Sequence, residues 1–228
     1  MIWMLLSPKM NQKSPKLLFP KYFGNVPHVS INVEQQVRLN KLVRNNTELP
    51  LKFRSWELIE YPTLNDSTRH TWSVKTSTKL ESPKHIIVAF QNGRKGTLLK
   101  DMSKFDHNNL TNIRVFLNSE RYPYSDLHLD FDTNRFATLY EMFANFQESY
   151  YHIHPSQPIY TPLEFKENSP LVHIDCCRQK EVLQSGSVVL RIEFETSKST
   201  GNNTSAYCLI LHEKEFWYNP LTKILRQA

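Results

Sequence analysis

Four groups of residues have types and spacings that bear on chemistry. His152-Ile-His154 sets two imidazoles two residues apart, the spacing at which a strand turns both to one face and can grip a divalent ion. A cupin-type site would need a Glu a short distance on, where Pro155 to Pro158 stands instead, so the pair is expected in a loop. Asp126, His128 and Asp130 form an oxygen and nitrogen set on one face of a predicted strand, but Leu127, Leu129 and Phe131 occupy the other face. The polar row is therefore expected to be the solvated side of a half-buried strand. Asn92-Gly-Arg-Lys-Gly-Thr97 has the residue types of a phosphate loop without GxxxxGK[ST] spacing or a following helix, and is read as a hairpin-type turn with two exposed cations. Cys176-Cys177 follows His173 on a single segment. On a strand, residues three apart face opposite sides and those four apart are too distant for a direct hydrogen bond, so a buried structural thiol is expected. There is no GxSxG, and no residue is assigned a catalytic, cofactor-binding or metal role.

The elements that position these residues follow from hydropathy period. Residues 105–151 hold two alternating segments, Ile113, Val115, Leu117 and then Leu127, Leu129, Phe131, directly before the chain's one long amphipathic pattern. From Arg135 the period becomes helical through Phe136, Leu139, Tyr140, Phe143, Phe146 and Tyr150. Strands are expected near 49–61, with a bulge near Ser55, and near 69–76, 84–91, 110–118, 125–131, 170–176, 187–195 and 205–212. The run His85 to Phe90 is almost continuously apolar, as in a strand covered on both faces. A short helix is expected over Val33 to Arg44 behind an Asn32 cap, and a helical turn over Leu163 to Lys166. Eight antiparallel strands with long connections predict a mainly β fold, a jelly-roll sandwich. The helix after the fifth strand is expected to cover an open end or edge of it.

The chain has 228 residues and a net charge of +6. Residues 1 to 54 hold nine Lys and Arg against two Glu, leaving 19 basic and 20 acidic residues in the remainder, so the positive charge belongs to one end. Pro8, Pro15, Pro20 and Pro27 make residues 1–31 an extended basic arm, and residues 32–228 are read as a single jelly-roll domain. The arm offers weak contact to nucleic acid or an acidic partner, but no RNP motif, zinc finger or basic recognition helix accompanies it. Three cysteines without C-x-x-C argue against a disulfide framework and a zinc site. The opening run Met1 to Leu6 is too short for a signal-peptide core, and no run approaches a membrane span, so an intracellular protein with no membrane association is expected and its five N-x-S/T sequons go unused. Aromatic residues make up 12% of the chain and mostly read as core. Tyr122, Tyr124, Phe216, Trp217 and Tyr218 are less easily buried and are the candidate subunit contacts.

Whole blocks in order add to this reading. FRSWELIEYP (Phe53 to Pro62), RHTWSVKT (Arg69 to Thr76), IIVAFQNGRK (Ile86 to Lys95), FDHNNLTNIRVFLNSERYPY (Phe105 to Tyr124), LYEMFANFQESYY (Leu139 to Tyr151) and AYCLILHEKEFWYNPLT (Ala206 to Thr222) resemble the double jelly roll-like domain proteins of arthropod genomes. Those are similar in turn to the hexon-like major capsid proteins of Maverick/Polinton and adintovirus-like elements. The resemblance spans residues from about 27 to 226, and the block order fits the second of the family's two tandem rolls. It implies a structural capsid protein without catalytic residues or cofactor, self-associating as a trimer, and derived from a virus-like integrated element. Two other readings stand beside it: a jelly-roll module holding a carbohydrate or protein ligand, and a metal-dependent cupin-like enzyme using His152, His154 or the Asp126, His128, Asp130 row.

Overall fold

Alternating apolar residues need a second layer to bury them, and here two sheets supply it for each other. A computed structural model of the chain describes residues 28–75, 83–177 and 188–227. Most of the predicted arm, residues 1–27, lies outside them. In order, the elements are α1 (Val33–Arg44), β1 (Leu49–Tyr61), β2 (Arg69–Val74), β3 (Pro83–Asn92), β4 (Leu110–Leu117), β5 (Glu120–Tyr122), α2 (Ala137–Tyr151), α3 (Pro162–Asn168), β6 (Val172–Asp175), β7 (Leu190–Thr196), β8 (Thr204–Asn219) and β9 (Ile224–Gln227).

One sheet has the order β1-β8-β3-β6, with β9 also pairing β8, and the other has the order β2-β7-β4-β5. The first eight strands therefore alternate between sheets except at the β4–β5 hairpin, which is the jelly-roll arrangement. The predicted mainly β class is the observed one.

Two compact units divide the chain: residues up to Leu51 together with those from Glu215 onward, and Lys52–Lys214. The larger contains the hydrophobic core. Ile86, Val88 and Phe90 of β3, Val172 and Ile174 of β6, and Ala206, Cys208 and Ile210 of β8 line one wall. Trp72, Ile192 and Val115 line the other and sit in register across β2, β7 and β4. The smaller unit holds α1, whose Asn32 side chain accepts from the Gln35 N–H at 2.9 Å, and the β8–β9 pairing over Phe216 to Asn219. None of the α1 side chains is buried.

Two strand expectations are corrected. Leu127, Leu129 and Phe131 are buried in alternation, but residues 125–131 join no ladder and make only an isolated bridge from Asp130 to Arg135. His128 takes a left-handed φ of +47°, which breaks the extended run. The fifth strand is instead the three-residue β5, paired to the end of β4. In β1 the alternation of Leu49, Leu51 and Phe53 predicts a row that Trp56 and Leu58 continue past the bulge, but Trp56 and Leu58 are exposed, and Ile59 and Tyr61 pack against the core. The asparagine-glycine turn after β3 is where glycine is required. Gly93 has φ +55°, and a Cβ there would stand 2.2 Å from Asn203 Nδ2.

Candidate functional site

The outer face of the β1-β8-β3-β6 sheet is covered by α2, and the coverage follows from where the helix puts its aromatics. Successive turns carry Met142, Phe146 and Tyr150. The Met142 carbonyl meets His173 of β6, the Phe146 ring meets both His173 and His85, and Tyr150 meets His85 of β3 and Trp56 of β1. The helix thus lies along the edge strand β6, with Leu139 buried in the core, in keeping with the expectation that it covers an end or edge, and its last turns reach beyond that edge over β3 to Trp56 of β1. It also accounts for burial on both faces of β3: Ile86, Val88 and Phe90 serve the core, while on the outer row His85 and Ala89 are buried and Ile87 is half-buried.

Under α2 lies a polar chain. His173 Nδ1 is 2.9 Å from the Met142 carbonyl, which only accepts, so His173 donates there and its Nε2 carries a lone pair. His85 Nδ1 lies 3.1 Å from that Nε2 and is therefore the donor. The remaining nitrogen of His85, Nε2, is left unprotonated and faces Cys177 Sγ at 3.6 Å. His85 is only 3% exposed. Burial, with the neighbouring His173, lowers its pKa to about 4, so the ring is neutral at ordinary pH. Burial also lowers the pKa of His173. The Cys177 thiol is pushed up to about 12, first by desolvation and then by Asp175, whose Oδ1 accepts the Cys177 backbone N–H at 2.8 Å. A thiol held protonated beside a weakly basic imidazole is a poor nucleophile. The ligand atoms of His85, Asp175 and Cys177 nevertheless all lie within 4.8 Å of one another. His85 and Cys177 border a cleft of about 210 Å³ whose wall also includes Arg54, His152 and Glu213.

The other predicted groups are placed differently. Asp126 is held by Arg114 at 2.9 Å and by Arg121, and Arg114 continues to Glu195 at 3.1 Å. The Arg114 hydrogen bond keeps the Asp126 carboxyl far below its usual range. Asp130 instead accepts the Asp132 and Thr133 N–H groups and pairs with Arg135, so the row is divided between an ion-pair network and a turn. His152 ends α2 in a left-handed conformation and His154 lies 3.3 Å from Glu148, in the loop expected for them. The turn at residues 92–97 has no free pair of cations: Arg94 holds Asp106 through two bonds of 2.6 and 2.8 Å, and Lys95 reaches Glu60 at 2.8 Å.

Among the candidate contact residues, Tyr122 lies on β5 and packs on the core, whereas Tyr124 is 96% exposed. Phe216, Trp217 and Tyr218 lie on β8 opposite β9, with Trp217 exposed and the other two half-buried. The two groups belong to separate compact units.

A larger polar cleft of about 580 Å³ is lined by Asn92, Lys100, Phe105, His107, Lys166 and Thr200, among others. Both lysines donate to protein oxygens, Lys100 to Asn92 and Lys166 to Phe131 and Asn134.

The sequence singles out Cys177 and His173 but sets the pair aside as too far apart for a direct hydrogen bond, and it gives no sign of the residue that links them. His85 stands opposite Asp175 in the β3–β6 register, and no local spacing reveals a partner 92 positions away from Cys177. Its one signal is a histidine opening an otherwise apolar strand.

Comparison with known proteins adds the family. The chain is similar in structure to the mavirus major capsid protein (TM-score 0.37, 10% identity, covering 80% of this chain and 41% of that one). It is also similar to a capsid chain of the PBCV-1 virus (TM-score 0.42, 9% identity, covering 87% and 55%). The chain thus spans about half the length of these capsid proteins. No curated protein sequence gives a match. The sequence profile of the double jelly roll-like domain matches residues 4–215, nearly the whole chain, and holds in one alignment every strand of the roll from β1 through most of β8. By that match the protein is a member of the double jelly roll-like domain family.

Proposed function

We propose that the protein is structural, a capsid-like jelly roll from a virus-like integrated element that works through contacts with copies of itself and performs no catalysis. The observation that carries this reading is the edge strand β1. Phe53, Trp56 and Leu58 are all exposed on the outermost strand of its sheet, in a family whose members join jelly rolls together. A long apolar edge is a template for another chain unless something covers it. Tyr124 and Trp217 are further exposed aromatics suited to contacts between copies, and a trimer is the assembly that the capsid-like reading implies. Among the described residues no helix is long and apolar enough to cross a membrane.

Sedimentation velocity over a wide concentration range tests this. Association that strengthens with concentration, and that Leu58→Lys weakens, is the expected result. A monomer at every concentration overturns the reading.

The polar cleft around Phe105 and Lys166 favours a second reading, a roll that holds a carbohydrate or protein ligand, because its volume of about 580 Å³ falls within the range of ligand sites. Saturable binding on a glycan array, lost in Lys166→Met, would support it over self-association.

A further inference from the structure

We propose that His85, Asp175 and Cys177 form a binding site for a divalent transition metal of the zinc class, one that clasps β3 to the chain leaving β6. The site is independent of the capsid-like reading.

Three observations converge. The first is the ligand set: one imidazole, one carboxylate and one thiol with their donor atoms within 4.8 Å of one another, a mixture that suits a borderline ion such as Zn²⁺. The second is a distance. Zinc bonds of about 2.3 Å to sulfur and about 2.0–2.1 Å to nitrogen, at a tetrahedral angle, set the two ligand atoms about 3.6 Å apart. Cys177 Sγ and His85 Nε2 are 3.6 Å apart.

The third observation is the outer support. A metal-binding histidine normally donates its other ring N–H to an acceptor, which fixes its tautomer and orientation. His85 does so to His173 at 3.1 Å, and His173 in turn donates to the Met142 carbonyl at 2.9 Å. The Nε2 lone pair is therefore already presented to the cleft, with Phe146 and Tyr150 packed edge-on against the ring.

Charge is compatible with this. Binding releases the Cys177 proton to solvent, and the thiolate with the Asp175 carboxylate balances a divalent ion. Two cations lie near His85, Arg54 and Lys84. Arg54 is engaged with Tyr150, donating to its carbonyl and lying 4.1 Å from its ring centroid. Three protein ligands leave a fourth position, which opens onto the cleft beside His152 and Glu213.

The test is a titration of the full chain, first stripped by chelation, with Co²⁺ and then Zn²⁺. One equivalent of Co²⁺ should bind with a thiolate-to-metal charge-transfer band in the near ultraviolet, and Zn²⁺ should displace it. Cys177→Ser should abolish the band, and Asp175→Asn should weaken binding at least about tenfold. His173→Leu, which removes the supporting partner and no ligand, should weaken it about 10- to 100-fold. Cys177 and Asp175 are exposed, so both variants keep the fold, as circular dichroism would verify. Substoichiometric Co²⁺ binding by the wild-type chain overturns the proposal, as does a band that survives Cys177→Ser.

Discussion

His85 of β3 donates to His173 of β6 across 3.1 Å, and the two rings lie together beneath a single helix. Backbone pairing between these strands sets His85 opposite Asp175 and Ile87 opposite His173, so the ring-to-ring bond runs diagonally over the ladder. It joins the sheet to the Met142 carbonyl of α2.

Removing one ring should cost more than its own contacts. His173→Leu strips the partner from both the His85 Nδ1–H and the Met142 carbonyl, and a buried polar group without a partner costs about 1–3 kcal/mol. The double variant His85→Leu, His173→Leu should destabilise by less than the sum of the single changes, because it leaves only the carbonyl unsatisfied. Urea unfolding with a chelator present reads this out; strictly additive losses would contradict it.

The long connection between β5 and β6 should depend on one residue. Phe165 of α3 is fully buried and meets Phe136, Tyr140 and Phe143. The capping box at Thr161, in which Thr161 and Glu164 bond each other's backbone N–H, fixes the start of its helix. Phe165→Ala should cost about 3–5 kcal/mol. Tyr124→Ser, at a fully exposed ring, should change stability by less than about 0.5 kcal/mol while weakening self-association.

Two glycines separate backbone strain from crowding. Gly93 and Gly96 both have positive φ, +55° and +73°, but a Cβ at Gly96 would meet nothing within 4 Å while one at Gly93 would meet Asn203. Gly96→Ala should cost about 1 kcal/mol from conformation alone. Gly93→Ala should cost more, and pairing it with Asn203→Ala should recover only the difference. Equal losses at the two glycines would show that Asn203 swings aside freely.

Acid should destabilise the protein in part through His107. Its ring stacks on Phe131 at 4.4 Å, its Nδ1 accepts the Asn109 N–H at 3.0 Å, and its pKa is lowered, first by burial and then by the Lys166 cation. The unfolded chain therefore takes up this proton at a higher pH than the folded one. The contribution is fully present above the ordinary histidine value of 6.5 and is lost as pH falls from there through the folded value. His107→Phe should flatten the decline in melting temperature between neutral and mildly acid pH. An unchanged pH profile would remove His107 from the account.

Strand positions were legible wherever one face is apolar and the other polar. β7 is the plainest case: Leu190, Ile192 and Phe194 are buried between exposed or half-buried neighbours, as their spacing predicts. β5 was not legible, because Glu120-Arg-Tyr has no period to read. Residues 125–131 show the reverse, a correct burial pattern without a ladder, since alternation records which side chains face the core and says nothing of backbone partners. The histidine and cysteine cluster was half legible. Cys177 and His173 are neighbours in sequence, but His85 joins them only through strand register, which no local pattern carries.

The crossing of α2 over one sheet has a consequence for how such rolls could tile a surface. On that side a neighbour approaching broadside meets helix. On the opposite sheet it meets Arg114, Arg191, Glu193 and Glu195, a lattice of charge with Arg191 lying over Phe116. Face-to-face stacking is blocked by bulk on one side and opposed by hydration on the other. Among the described residues the dry surface lies at the rims, as in the apolar row of β1, so copies that pack at all should spread sideways as a sheet one molecule thick.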